Sequence, residues 1–184
     1  MTRLMIYTGG VCYTTSATEG VGESGKSRNR KTEDTMIRNA TLEDISRIAE
    51  ILVFVKRIKF RPIFQDDDFS FGELQVLKVA EEYKKPEILD HILVYEDNRI
   101  VKGLIHIEGK EIVELYVDYF FQNQGVGEKL IEYAKANYPV SFLWAIEKNV
   151  DAIRFYERHG FYVTDHKKFE EGTTEYLVKL ALTV

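Results

Sequence analysis

The sequence predicts an α+β fold, with a mixed, largely antiparallel central sheet of six to seven strands flanked by about four helices. Three observations predict it. Strand-like and helix-like stretches alternate from Met36 onward. Hairpin signals stand in both halves, at Asp97-Asn98 and around Glu170-Glu-Gly172, where a doubly wound sheet would carry crossovers. Between them, one strand runs through a glycine turn directly into a helix.

Residues 1–35 read as a polar leader, an upstream extension set apart from a domain at 36–184 and expected to be disordered. From Thr14 to Thr35 apolar residues are almost absent. Inside the leader, Gly20-Val-Gly-Glu-Ser-Gly-Lys-Ser27 spells a phosphate-loop pattern. That pattern needs a buried strand before it and an apolar helix after it, and the flanks supply neither. It reads as a chance match.

The domain then unfolds in order. Met36–Ala40 is a short strand. Thr41-Leu-Glu-Asp44 resembles a capping box, and Ile45, Ile48, Ala49, Leu52 and Val55 form the buried stripe of the helix it opens. Residues 56–68 mix basic, aromatic and acidic side chains around Pro62, and a second helix is expected over about Phe71–Tyr83. His91–Tyr95 and Ile100–Ile107 are strands, and Gly109-Lys110 turns into the central strand, in which Val113, Leu115 and Val117 alternate onto one face. Val126, Leu130, Ala134 and Tyr138 recur at helical spacing after it. Val140–Ile146 is a strand, Asn149 caps a helix that stops at Gly160, and Phe161–Phe169 with Thr174–Leu182 closes the sheet.

Composition excludes several functions. At 184 residues and 45% hydrophobic, the chain can bury one core. A net charge of −5 argues against a general nucleic-acid binder. Cys12 is the only cysteine, so neither an internal disulfide nor a Cys-rich metal site can form. His91, His106, His159 and His166 are dispersed and show no metal-ligand spacing. No apolar run approaches the roughly 20 residues that span a bilayer, and the first residues do not form a signal peptide. The expectation is a cytoplasmic protein with no metal, no membrane and no nucleic-acid partner.

Two runs carry the chemistry. Gln122-Asn-Gln-Gly-Val-Gly127 opens a helix, where glycines allow close approach and first-turn N–H groups suit a phosphate or pyrophosphate. Asn149-Val-Asp-Ala-Ile-Arg-Phe-Tyr-Glu-Arg-His-Gly-Phe161 follows one strand later. Taken singly, a tight turn and a capped helix explain them. In this order they resemble the acetyl-CoA-binding motifs of the GNAT superfamily of N-acetyltransferases: Gln122-x-x-Gly125-x-Gly127, then Asn149-x-x-Ala152-x-x-Phe155-Tyr156-x-x-x-Gly160-Phe161. The resemblance covers about Met36 to Leu182. It implies the GNAT (acyl-CoA N-acyltransferase) fold and acetyl-CoA as cosubstrate.

The resemblance also assigns residues. The turn and first helical residues, Gln122, Asn123, Gln124, Gly125, Val126, Gly127, Glu128 and Lys129, would hold the CoA pyrophosphate. Leu115, Tyr116 and Val117 would pair with the pantetheine arm, joined by Asn149 and Ala152. The chain departs from the family pattern in having Asn123 and Gln124 where loops often carry Arg or Lys, which shifts charge neutralisation toward the helix dipole and Lys129. Tyr119 stands where many members have Pro.

Acetyl transfer to an amine of pKa near 10 needs a base or a water chain, and the departing thiolate benefits from a proton donor. The resemblance implies Tyr156 as that acid. For the base, Glu111 occupies the position used in the histone-modifying branch, and Glu114 shares a face with Tyr116. At a spacing of three the two glutamates are expected on opposite faces; either one, or water, would serve. The acceptor, a small-molecule or peptide amine, would be gripped by residues about 54–71. There Asp66, Asp67 and Asp68 could draw a cation, and Lys56, Arg57, Lys59 and Arg61 a carboxylate. A homodimer is compatible with the resemblance. The rival reading is a non-catalytic acyl-CoA-binding sensor or regulatory domain.

Overall fold

Alternating apolar strands from both halves of the chain assemble into one seven-stranded sheet in the computed structural model, which describes residues 35–170 and 172–183. The strands are β1 (Thr35–Asn39), β2 (Ile92–Asp97), β3 (Ile100–Glu108), β4 (Glu111–Val117), β5 (Phe142–Ile146), β6 (Phe161–Phe169) and β7 (Tyr176–Leu182), in the order β1-β2-β3-β4-β5-β7-β6. Every pairing is antiparallel except β4 with β5. The mixed sheet is therefore the predicted one. The phosphate-loop spelling at Gly20–Ser27 lies outside the described residues, and β1 already includes Thr35, which had been grouped with the leader.

Among the described residues five α-helices flank the sheet: α1 (Ile45–Phe64), α2 (Val76–Tyr83), α3 (Pro86–Leu89), α4 (Val126–Asn137) and α5 (Val150–Arg158). The capping box at Thr41 and Asp44 forms as expected. Its helix then runs further than the sequence indicated, through Pro62 to Phe64. Proline costs most in a helix interior, but here only two residues follow it before Gln65 turns left-handed at φ 54°. Phe60 supplies the reason to continue, fully buried against Ile146 and Leu177. The second helix starts later than expected, at Val76, because Asp68–Glu73 winds into a wide turn first. Among the described residues no helix is long and apolar enough to cross a membrane.

Adjacent residues on the central strands feed two cores. Leu104 and Tyr116 pack with Ile48, Leu52 and Val55 of α1 on one face. Ile105, Leu115 and Val117 pack with Val126 and Leu130 of α4, and with Phe155 of α5, on the other. Gly103 lets α4 lie this close: a Cβ there would stand 2.9 Å from the Tyr116 carbonyl and 3.0 Å from Val126.

One irregularity corrects the expected alternation on β4. Ile107 pairs with Ile112 but His106 with Glu114, so Val113 is an extra residue opposite no partner. Ile112 consequently shares a face with Leu115 and Val117 in the α4–α5 core. Glu111 pairs with Glu108, and Glu114 with His106, two residues apart on β3. Both glutamates thus project on the α1 side of the sheet, where regular alternation had placed them on opposite faces.

Candidate active site

The site begins where β4 and β5 part. Their ladder consists of Glu111 with Phe142 and Ile112 with Leu143, and then stops. Beyond it, β5 stays with β7 while β4 stays with β3. A gap opens along residues 113–117, its lip formed by strand backbone.

The glycine turn closes the top of that gap. Asp118 caps a short 3-10 turn at Tyr119–Phe121 by accepting from the Phe120 N–H (2.8 Å). Gln122 donates to the Val117 carbonyl (3.1 Å) and Gln124 to the Phe120 carbonyl (3.0 Å), tying the turn to the strand end. Gly125 is the N-cap of α4 at φ 78°, a conformation that a side chain would strain. Gly127 faces the Phe155 ring, which a Cβ would meet at 3.3 Å. This contact brings the N-terminus of α4 against α5.

A cavity results, lined by Leu115 and Val117 of β4, by Gln122, Asn123, Gly125, Val126, Gly127 and Glu128, and by Phe155, Arg158 and His159 of α5. The first-turn N–H groups of α4 and the positive end of its dipole border the cavity. Leu115, Val117 and most of the turn residues named from the sequence therefore meet in one place.

Other residues named from the sequence lie elsewhere. Lys129 does not line the cavity; its Nζ donates to the Tyr95 hydroxyl (3.0 Å), beyond α4. The cation in the cavity is Arg158, exposed at the end of α5, and the sequence reading missed it. A signal was available, because Phe155, Arg158 and His159 are spaced by three and four and so share a helix face. Asn149 caps α5, accepting from the Ala152 N–H (3.3 Å), and Ala152 is core. Tyr116 points to the α1 side.

Tyr156 is fully buried between Phe155 and Phe161 and does not line the cavity. Burial pushes its phenol pKa far up, so the group keeps its proton.

The two glutamates sit in different electrostatic surroundings. Burial works against the charge of Glu114, but the Lys56 ammonium at 3.0 Å, His106 and the Tyr83 hydroxyl outweigh it and hold the carboxyl at about 2. Glu111 is half-buried, and desolvation with help from Glu108 raises its pKa, against the pull of Lys168, Lys179 and His106. Glu114 is locked as an anion; Glu111 is the better proton acceptor.

Most of the charges that the sequence offers for acceptor binding have partners within the chain. Arg57 donates to the Ser70 and Leu74 carbonyls, both at 2.8 Å. Arg61 pairs with Asp67, and Asp66 accepts from the Phe69 N–H. Lys59 stands 3.8 Å from Asp151. They brace the stretch between α1 and α2. Among the described residues no group of three or more His, Cys, Asp and Glu side chains could hold a metal ion.

Comparison with known proteins agrees with this geometry. Residues 89–163 match the family model for the acetyltransferase (GNAT) domain, a span from α3 into β6 that contains both motifs. Over 73 residues the chain is 30% identical to peptidyl-lysine N-acetyltransferase YiaC of Escherichia coli, a match covering 39% of this chain and about half, 50%, of that protein. The fold resembles apo YjaB of Escherichia coli, with a TM-score of 0.64 and 23% identity over 81% of this chain and 97% of that one. It also resembles the PaiA N-acetyltransferase of Thermoplasma acidophilum in complex with coenzyme A, with a TM-score of 0.60 and 18% identity over 79% and 98% of the two chains. The parted strands and the glycine turn lie within the matched span, and over residues 89–163 the chain is similar to the GNAT acetyltransferase domain.

Proposed function

We propose that this protein is an N-acetyltransferase that moves an acetyl group from acetyl-CoA to a primary amine by direct attack. The observation that carries the reading is the single cavity joining the free lip of β4 to the N-terminus of α4. The residues present suit the cosubstrate. Backbone N–H groups of Val126, Gly127 and Glu128 face the pyrophosphate position, and Arg158 supplies the cation that the turn lacks. The backbone of Leu115 to Val117 offers hydrogen-bonding groups to an extended amide arm and to the thioester oxygen.

Glu111 takes the proton from the acceptor, and Tyr156, held neutral by burial, returns one to the departing sulfur. The name of the Escherichia coli relative makes a lysine side chain in a peptide the first acceptor to try. The complete burial of Tyr156 favours the second reading, an acyl-CoA-binding domain without turnover.

Thiol release from acetyl-CoA, measured across amines, polyamines, amino acids and lysine peptides, separates the two. At least one acceptor is expected to raise the rate above hydrolysis. Tyr156→Phe should then lose about 10²-fold in kcat with CoA affinity unchanged. If no acceptor accelerates release while CoA still binds, the sensor reading stands instead.

Arg158→Ala should weaken CoA binding by about tenfold, the loss of one charge-assisted hydrogen bond to phosphate. Calorimetry at low and high salt checks this. The difference should shrink as salt rises, because Arg158 is exposed.

A further inference from the structure

Lys56 is the one buried lysine among the described residues, and the transfer just proposed leaves it without a task. Its Nζ donates to Glu114 on β4 at 3.0 Å and stands 5.4 Å from the centre of the Tyr116 ring. One turn further along α1, Phe60 packs on Ile146 of β5. A helical turn rises about 5.4 Å, so residues 56–60 bridge the line along which β4 and β5 separate. Lys59, between them, reaches toward Asp151 in the first turn of α5. The Lys56 amine therefore lies on the β4 side of the gap, across the sheet from the cavity at α4 and α5.

The geometry points to Lys56 as an acetyl acceptor within the chain, its amine seated where a thioester held in the gap from the cavity side would present its carbonyl. The inference rests on the acetyltransferase reading. In the step, a bond forms between Nζ and the carbonyl carbon, and the carbon–sulfur bond breaks. Of the two protons that the ammonium loses, one goes to solvent before attack and the other ends on the sulfur. The products are an acetamide, a thiol and a free proton. Placement in one fold replaces an encounter in solution, which favours this amine over exposed ones.

The modification changes Glu114. Once the ammonium becomes an amide, burial acts on the carboxylate with only His106 and Tyr83 opposing it. Its pKa rises, and a locked anion becomes a proton acceptor on the same side of the sheet as Glu111.

The titratable groups that face Lys56 are Glu114 and Tyr116 from β4 and, through the Glu114 carboxylate, Tyr83 from α2 and His106 from β3; Lys59 lies on its own helix and Asp151 on α5. Only a neutral amine attacks a thioester, so labelling should accelerate as pH rises.

Peptide mapping by mass spectrometry after incubating the full chain with acetyl-CoA tests the inference, with calorimetry of acetyl-CoA binding alongside. The expected result is one acetyl group on Lys56, first order and independent of protein concentration. It should be absent from Lys56→Arg and lost as preference when the chain is heat-unfolded. A chain that binds acetyl-CoA yet labels Lys56 no faster than exposed Lys78 overturns it. So does a rate that rises with protein concentration, which places the reaction between molecules. A chain that fails to bind acetyl-CoA overturns the acetyltransferase reading instead, and this inference with it.

Discussion

Glu111→Gln is expected to lower kcat by at least about 10²-fold while leaving acetyl-CoA affinity unchanged. Affinity should hold because Glu111 does not line the cavity. The rate should fall because an ammonium acceptor, with a pKa near 10, must lose a proton before it can attack. Glu111 stands at the foot of the gap, paired with Phe142 at the last rungs before β4 and β5 part. Burial, and then Glu108, raises its proton affinity. The base acts in its ionised form, so wild-type kcat/KM should climb as pH rises through a value above the usual carboxylate range, and the Gln variant should lack that limb. Glu114→Gln should leave the limb in place, because a carboxyl held at about 2 is already ionised throughout. Steady-state thiol release between about pH 5 and 9 reads both. A Gln variant with full activity and an intact limb would hand the proton to water.

The choice between the two glutamates shows what the sequence could and could not convey. The glycine turn and the Asn149-capped helix were legible because their constraints are local. Gly125 needs a left-handed backbone, and Asn149 needs a cap partner within its own helix. Strand register is not local. The bulge at Val113 depends on how β3 lines up against β4, and a single extra residue moved Glu111 to the other face. Lys129 and Arg158 differ for the same reason. Lys129 is adjacent to the turn in sequence but turns toward Tyr95, whereas Arg158 arrives from another helix through the Phe155–Gly127 contact. The length of α1 is a third non-local feature, because the burial of Phe60 on β5 outweighs a proline placed near the end of the helix.

Lys56→Met should destabilise the fold by about 3–5 kcal/mol at neutral pH, the usual result of leaving one member of a buried ion pair behind. The sign of the pH dependence is the sharper test. In the wild type, Glu114 titrates at about 2 when folded against 4.5 as its ordinary value. A depressed carboxyl contributes stability that is complete above its unfolded pKa and fades as pH falls toward the folded one. The contribution is roughly 3 kcal/mol. Without Lys56, burial dominates and the folded pKa rises above the unfolded value. The contribution then reverses: it is present in acid and is lost as pH climbs. Urea unfolding of both proteins from about pH 3 to 7 should give stability curves that draw together in acid and diverge toward neutrality. Groups elsewhere titrate equally in both proteins and cancel in the difference. Parallel curves would mean that Lys56 does not hold Glu114 in its charged form, and Glu114 would return as a candidate base.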